Sequence, residues 1–213
     1  MKNYLTEFIG TFFLVLTIGL VVLSGSSMAP FAIGAALMVM VYMGGPISGA
    51  HYNPAVTLAV LMRGKIGMGE AVPYWVSQVL GAFAASAVVY IVTGRTFAPA
   101  PAGGSTGFQA LLVEFFYTFA LALVVLNVAT VKRTAGNHYY GLAIGFTVAA
   151  GVAAGGSVSG GAFNPAVGVG PILMSAMAGG GGLSNLWLYL VGPLAGGAAA
   201  ATVFNLQHGG TAD

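Results

Sequence analysis

The chain has 213 residues, 58% of them hydrophobic and 5% charged, with a mean hydropathy of +0.93. A soluble domain carries about a quarter charged residues, so this composition excludes a water-soluble fold and points to an integral membrane protein. The lack of cysteine excludes disulfides, thiolate metal sites and a cysteine nucleophile, and the formal net charge of +2 reads as loop bias across a membrane rather than as affinity for nucleic acid.

A span needs about 20 apolar residues, and six stretches qualify. The first covers about 4–24. Met1-Lys2 before an apolar run resembles a secretory leader, but Glu7 lies early and the run from Phe8 to Leu23 outlasts a leader's core, so it is read as a retained span. The polar, small-residue stretch Ser24–Pro30 ends it, and a second span follows at about 31–45. After the charged stretch Arg63–Gly69 comes a third at about 70–93, then the Pro- and Gly-rich stretch Gly94–Gly107 and a fourth at about 108–131. Lys132–Asn137 leads to a fifth at about 139–157, and the glycine run Gly179–Asn185 to a sixth at about 184–206. Two apolar pieces, 53–62 and 164–177, are too short to cross.

The order repeats. "LTEFIGTFFLVL" at Leu5 resembles "LVEFFYTFALAL" at Leu112, "ISGAHYNPAV" at Ile47 resembles "VSGGAFNPAV" at Val158, and "QVLGA" at Gln78 resembles "PLAGG" at Pro193. Each copy, 1–95 and 108–213, holds three spans, an odd number, so the second enters the membrane from the opposite side. This is an inverted repeat within one channel-like domain, with its site expected at the interface near the midplane. A cytoplasmic N-terminus places Lys2, Arg63, Lys65, Lys132 and Arg133 inside and Arg95 outside, in keeping with the positive-inside rule; an even number of spans returns the C-terminus to the cytoplasm.

Asn is a good helix cap, and Pro suits the first helical position because its missing N–H would have had no partner. Asn53-Pro54-Ala55 and Asn164-Pro165-Ala166 therefore read as starts of two re-entrant half-helices. A helix of 10 residues is about 15 Å long, half the hydrocarbon thickness, so the two tips meet at the midplane, where Ala55 and Ala166 are small enough to let them touch. The turns "GGPISGAHY" and "AAGGSVSGGAF" are expected to be irregular, with freed carbonyls lining a wet path. Each helix start carries about half a positive charge. Two starts aimed at one point repel cations, and the carboxamides of Asn53 and Asn164 add donors that orient a passing water and break proton hopping.

At these residues the chain resembles the major intrinsic protein family, the aquaporins and their relatives, over essentially its whole length. The resemblance implies an all-α membrane protein of six transmembrane helices plus two half-helices. It also implies a homotetramer with one pore per subunit, and passive transport of water or small uncharged solutes with no cofactor, metal or enzymatic activity; the expected location is the cell (inner) membrane. By spacing from the two asparagines it places an outer selectivity filter at Ile33, Val152, Gly161 and Val167. Most members have arginine at the fourth place; "NPAV" is similar instead to some plant tonoplast members. Without a fixed positive charge there, an apolar and wider ring is expected, with ammonia, hydrogen peroxide or urea passing beside water. Glycerol passage is an alternative on mixed signals: glycerol-passing relatives carry an acid just after the filter arginine, where this chain has Gly168, and Tyr189 looks more like the water-channel pattern, but the next residue, Leu190, does not. A non-transporting junctional protein is the other alternative, and the short tails speak against it.

The family place of Glu7 and Glu114 implies buried acids accepting hydrogen bonds from the re-entrant turn of their own half, and that of His51 a position in the cytoplasmic vestibule. His138 and His208 suggest no metal site. "GAFAAS" at Gly81 and "GPLAGGAAAA" at Gly192 offer faces for close packing within a subunit or between subunits. Trp75, Trp187, Tyr139 and Tyr140 suit interfacial anchoring.

Overall fold

The computed structural model describes residues 1–209, and among these it is all-helical. The helices are α1 (Lys2–Leu23), α2 (Ala29–Ser48), α3 (Pro54–Met62), α4 (Met68–Thr93), α5 (Gly107–Ala129), α6 (Tyr140–Ser159), α7 (Pro165–Met177) and α8 (Leu186–Gln207). Six of them, all but α3 and α7, have at least 20 residues and are apolar enough to cross a membrane; at 1.5 Å per residue that is about 30 Å or more. The nine residues of α3 and the thirteen of α7 reach only about 14 and 20 Å. Large apolar side chains such as Leu80, Ile91, Phe108 and Phe116 stay exposed on the outer faces, which suits contact with lipid rather than water.

Packing pairs α1 with α4 and α5 with α8, while α2 and α6 cross between the halves. The short helices are exchanged: α3 lies mainly on α8 and α7 mainly on α4. Small residues make the crossings close. A Cβ on Gly145 would stand 2.5 Å from the Gly34 carbonyl oxygen, one on Gly81 2.5 Å from that of Phe8, and one on Gly196 would collide with that of Phe115. The small-residue faces at Gly81 and Gly192–Gly197 are thus used inside the subunit, since Gly192 meets Glu114 and Gly197 meets the Ala55 carbonyl.

The irregular turns are shorter than the sequence suggests. α2 continues through Pro46 to Ser48 and α6 to Ser159, leaving only residues 49–53 and 160–164 outside helices. Gly49 and Gly160 end the helices in the left-handed conformation, at φ +84° and +90°, where a side chain would be strained. Trp75 is no interfacial anchor: its indole N–H donates to the Pro54 carbonyl at 3.1 Å, tying α4 to the tip of α3.

Candidate functional site

The site is built from the two five-residue turns. Asn53 and Asn164 cap α3 and α7 from extended backbone, at φ −156° and −160°, each with its side-chain oxygen 2.9 Å from the amide of the alanine two residues on, Ala55 or Ala166. The proline between them, Pro54 or Pro165, has no N–H to satisfy. Before each asparagine the chain is strained: Tyr52 and Phe163 sit at φ +50° and +49°, and Ala50 at +52°, conformations that L residues adopt only where the surroundings over-determine them.

The buried acids provide that determination. Glu7, fully buried on α1, accepts from the Ser48 hydroxyl (2.6 Å), the amides of His51 (3.0 Å) and Tyr52 (2.7 Å), and the Gln78 side-chain nitrogen (2.8 Å). Glu114, fully buried on α5, accepts from the Ser159 hydroxyl (2.7 Å) and the amides of Ala162 (3.0 Å) and Phe163 (2.6 Å). Tyr74 closes the first turn by donating to the Ser48 carbonyl at 2.8 Å, and Tyr189 does the same to that of Ser159. Sequence reasoning missed these partners. Ser48 and Ser159 had a signal, since each stands five residues before its asparagine. Tyr189, which the sequence offers as a mark of solute preference, also holds a turn through its hydroxyl.

The tips are then tied across the repeat. The Asn53 carboxamide nitrogen donates to the Phe163 carbonyl at 2.9 Å, and that of Asn164 to the Tyr52 carbonyl at 2.8 Å. A carboxamide has two hydrogens, so each keeps one beyond this bond. Ala55 and Ala166 are fully buried where the tips approach. Among the described residues, no protein donor reaches the carbonyls of residues 49–51 or 160–162.

One cavity runs past these groups. Asn53, Asn164 and the turns at 50–52 and 161–163 line it, together with Ile33, Leu37, Ile144, Val148 and Val167. Of the four expected filter residues it takes in Ile33, Gly161 and Val167. Val152 is not on its wall; it is half-buried, one turn beyond Val148 on α6. His51 lines both this cavity and a second one beneath it, which reaches Lys65, Ile66 and Thr130. Arg95 does not stand in for a filter arginine, because its guanidinium donates to the Leu23 carbonyl at the end of α1. Gly168 has no room for a side chain, since a Cβ there would run into Tyr189. Among the described residues no cluster of side chains could hold a metal. The arrangement offers a narrow path with apolar walls, carbonyl acceptors and two amide donors at its middle.

The family model described as Major intrinsic protein matches residues 1–204. A protein of Oryza sativa subsp. japonica named Aquaporin NIP1-4 is 40% identical over 215 residues, covering 97% of this chain and 77% of its own. A Lactiplantibacillus plantarum protein named Glycerol uptake facilitator protein-like 6 is 38% identical over 211 residues, covering 94% and 95%. The aquaglyceroporin of Plasmodium falciparum superposes with a TM-score of 0.84 over 96% of this chain and 95% of that one; at 22% identity this likeness is one of fold.

Proposed function

The chain belongs to the major intrinsic protein family, whose members are membrane channels and not enzymes, and from that premise we propose that it conducts water together with small uncharged solutes such as ammonia, hydrogen peroxide or urea, while excluding protons and ions. The observation that carries this reading is the pair of cross-tied carboxamides: Asn53 and Asn164 each bond the opposite turn, so both helix starts aim at one point of the cavity. A cation there meets two positive dipole ends. A water gives its oxygen to the remaining amide hydrogens and turns its own hydrogens away along the path, which interrupts proton transfer. Segments 1–95 and 108–213 act as the two inverted repeats, with both termini in the cytoplasm.

Ile33, Val152, Gly161 and Val167 form the outer filter in this reading, with Val152 at its outer edge. An apolar ring without a charge leaves the helix tips as the main barrier to cations and admits solutes wider than water. Glycerol is the second reading, favoured by the likeness to the bacterial protein named as a glycerol uptake facilitator. Against it stands the crowding of Gly168 by Tyr189, which leaves no space for an acid after the filter. The subunits assemble as a homotetramer with one path each.

Stopped-flow light scattering on proteoliposomes tests the proposal. Water and urea should equilibrate faster than in protein-free vesicles, with glycerol slower than urea and no added proton or sodium leak. Vesicles that leak sodium or protons through the parent chain would contradict it.

A further inference from the structure

The two halves of the cavity wall are unequal. In the first half the Gln78 amide nitrogen donates both to Glu7, at 2.8 Å, and to the Thr57 hydroxyl oxygen, at 2.9 Å; its two hydrogens allow both bonds at once, and the acid decides which way round the amide lies. Thr57 in turn lies 3.1 Å from Nδ1 of His51 and 3.1 Å from the Asn53 carbonyl. The repeat puts Ala162, Gly168 and Pro193 at the places of His51, Thr57 and Gln78, so the second half has no such chain.

All three bonds at the Thr57 oxygen form together in one arrangement. The hydroxyl hydrogen goes to the Asn53 carbonyl, and the two lone pairs accept from Gln78 and from an Nδ1–H on His51. That leaves Nε2 unprotonated, as an acceptor. Among the described residues Nε2 has no protein partner, while the ring, only 7% exposed and set edge-on to Tyr74 at 5.1 Å, lines the lumen. Tyr52 is fully buried and its hydroxyl donates to the Met40 carbonyl, so among the described residues, beyond the two asparagines, His51 is the side chain on that wall that offers a solute an unused hydrogen-bonding group.

Resting on the channel reading above, we propose that His51 is the specificity-determining side chain of this lumen, with Thr57 and Gln78 as positioning residues that hold its Nδ1–H tautomer. A solute entering an apolar path loses hydration and must recover hydrogen bonds. The outer ring of Ile33, Gly161 and Val167 gives it none from side chains, whereas His51 accepts from a solute that brings N–H or O–H groups. Discrimination among small donors therefore falls on the inner side of the asparagines.

The test compares full-length parent, His51→Leu, His51→Gln and Val167→Ala in proteoliposomes, with water and urea as probes. His51→Leu should lower the urea-to-water permeability ratio about fivefold, as for loss of one buried hydrogen-bond partner. His51→Gln should recover most of that loss, and Val167→Ala should move the ratio less than His51→Leu does. A parent that passes water but no urea would overturn the inference, since the lumen would then not admit the donor that His51 is proposed to recognise. Solid-state ¹⁵N NMR on a His138→Gln, His208→Gln chain, where His51 is the one histidine left of three, should find Nδ1 protonated and Nε2 bare. Thr57→Val should shift the proton and Thr57→Ser should not. Parent-like ratios in His51→Leu, a larger change in Val167→Ala, or a protonated Nε2 in the otherwise unaltered site would each overturn the inference. A parent no more permeable than protein-free vesicles would overturn the channel reading itself.

Discussion

Two buried carboxylates hold the turns that carry the site: Glu7 accepts from the amides of His51 and Tyr52, and Glu114 from those of Ala162 and Phe163. Glu7 and Glu114 stand out in any reading because an acid in a span needs a reason. Their bonds to Gln78, Ser48 and Ser159 are another matter, because they join positions 41 to 71 residues apart within apolar stretches that give no local cue. Glu114→Ala strands two turn amides and a hydroxyl; with buried donors costing about 1–3 kcal/mol each, thermal unfolding in detergent should drop clearly. Glu7→Ala strands four donors and should drop further. Equal midpoints for the two variants would show that the turns do not depend on these bonds. At Val167, an arginine brings a fixed charge and a fork of donors. Val167→Arg should reduce urea passage more than water passage, measured in the same vesicles, and unchanged ratios would remove Val167 from the filter.

At the scale of elements, the six spans lie within a few residues of where hydropathy puts them, because length and apolarity are all that a bilayer asks. The half-helices were legible for a different reason: cap, proline and short apolar run coincide twice in matching places. The length of the turns was not, since "GGPIS" reads as helix-breaking while packed neighbours keep it helical to Ser48. The exchange of α3 onto α8 and α7 onto α4 is likewise a property of packing that no local pattern records. The close crossing of α2 and α6 makes a prediction. Gly145→Val places atoms against the Gly34 carbonyl and Met38 and should cost about 1–3 kcal/mol, as overpacking does. Gly103→Ala, in a turn outside the helices where a Cβ meets nothing within 4 Å, serves as the control and should unfold with the parent. A Gly145→Val chain as stable as that control would mean the crossing is looser than described.

For the whole molecule, the proposed function amounts to one conduit whose cation barrier would sit at the midplane instead of being shared with a charged outer ring. Cross-tying the tips joins the two halves at their centre, so the proposed barrier and the fold would depend on the same four atoms. Replacing Asn53 by leucine deletes a cap, a cross-tie and a lumen donor together; in proteoliposomes proton leak should rise relative to water flow, and a parent-like leak would move the barrier elsewhere. The most direct measurement is a high-resolution cryo-electron density map of the chain in a lipid nanodisc. The density should show α3 and α7 abutting within the bilayer, with Asn53 Nδ2 near 2.9 Å from the Phe163 carbonyl and Asn164 Nδ2 near 2.8 Å from that of Tyr52. Density in which either short helix lies along the membrane surface, or in which the two carboxamides sit out of reach of the opposite turns, would contradict this arrangement.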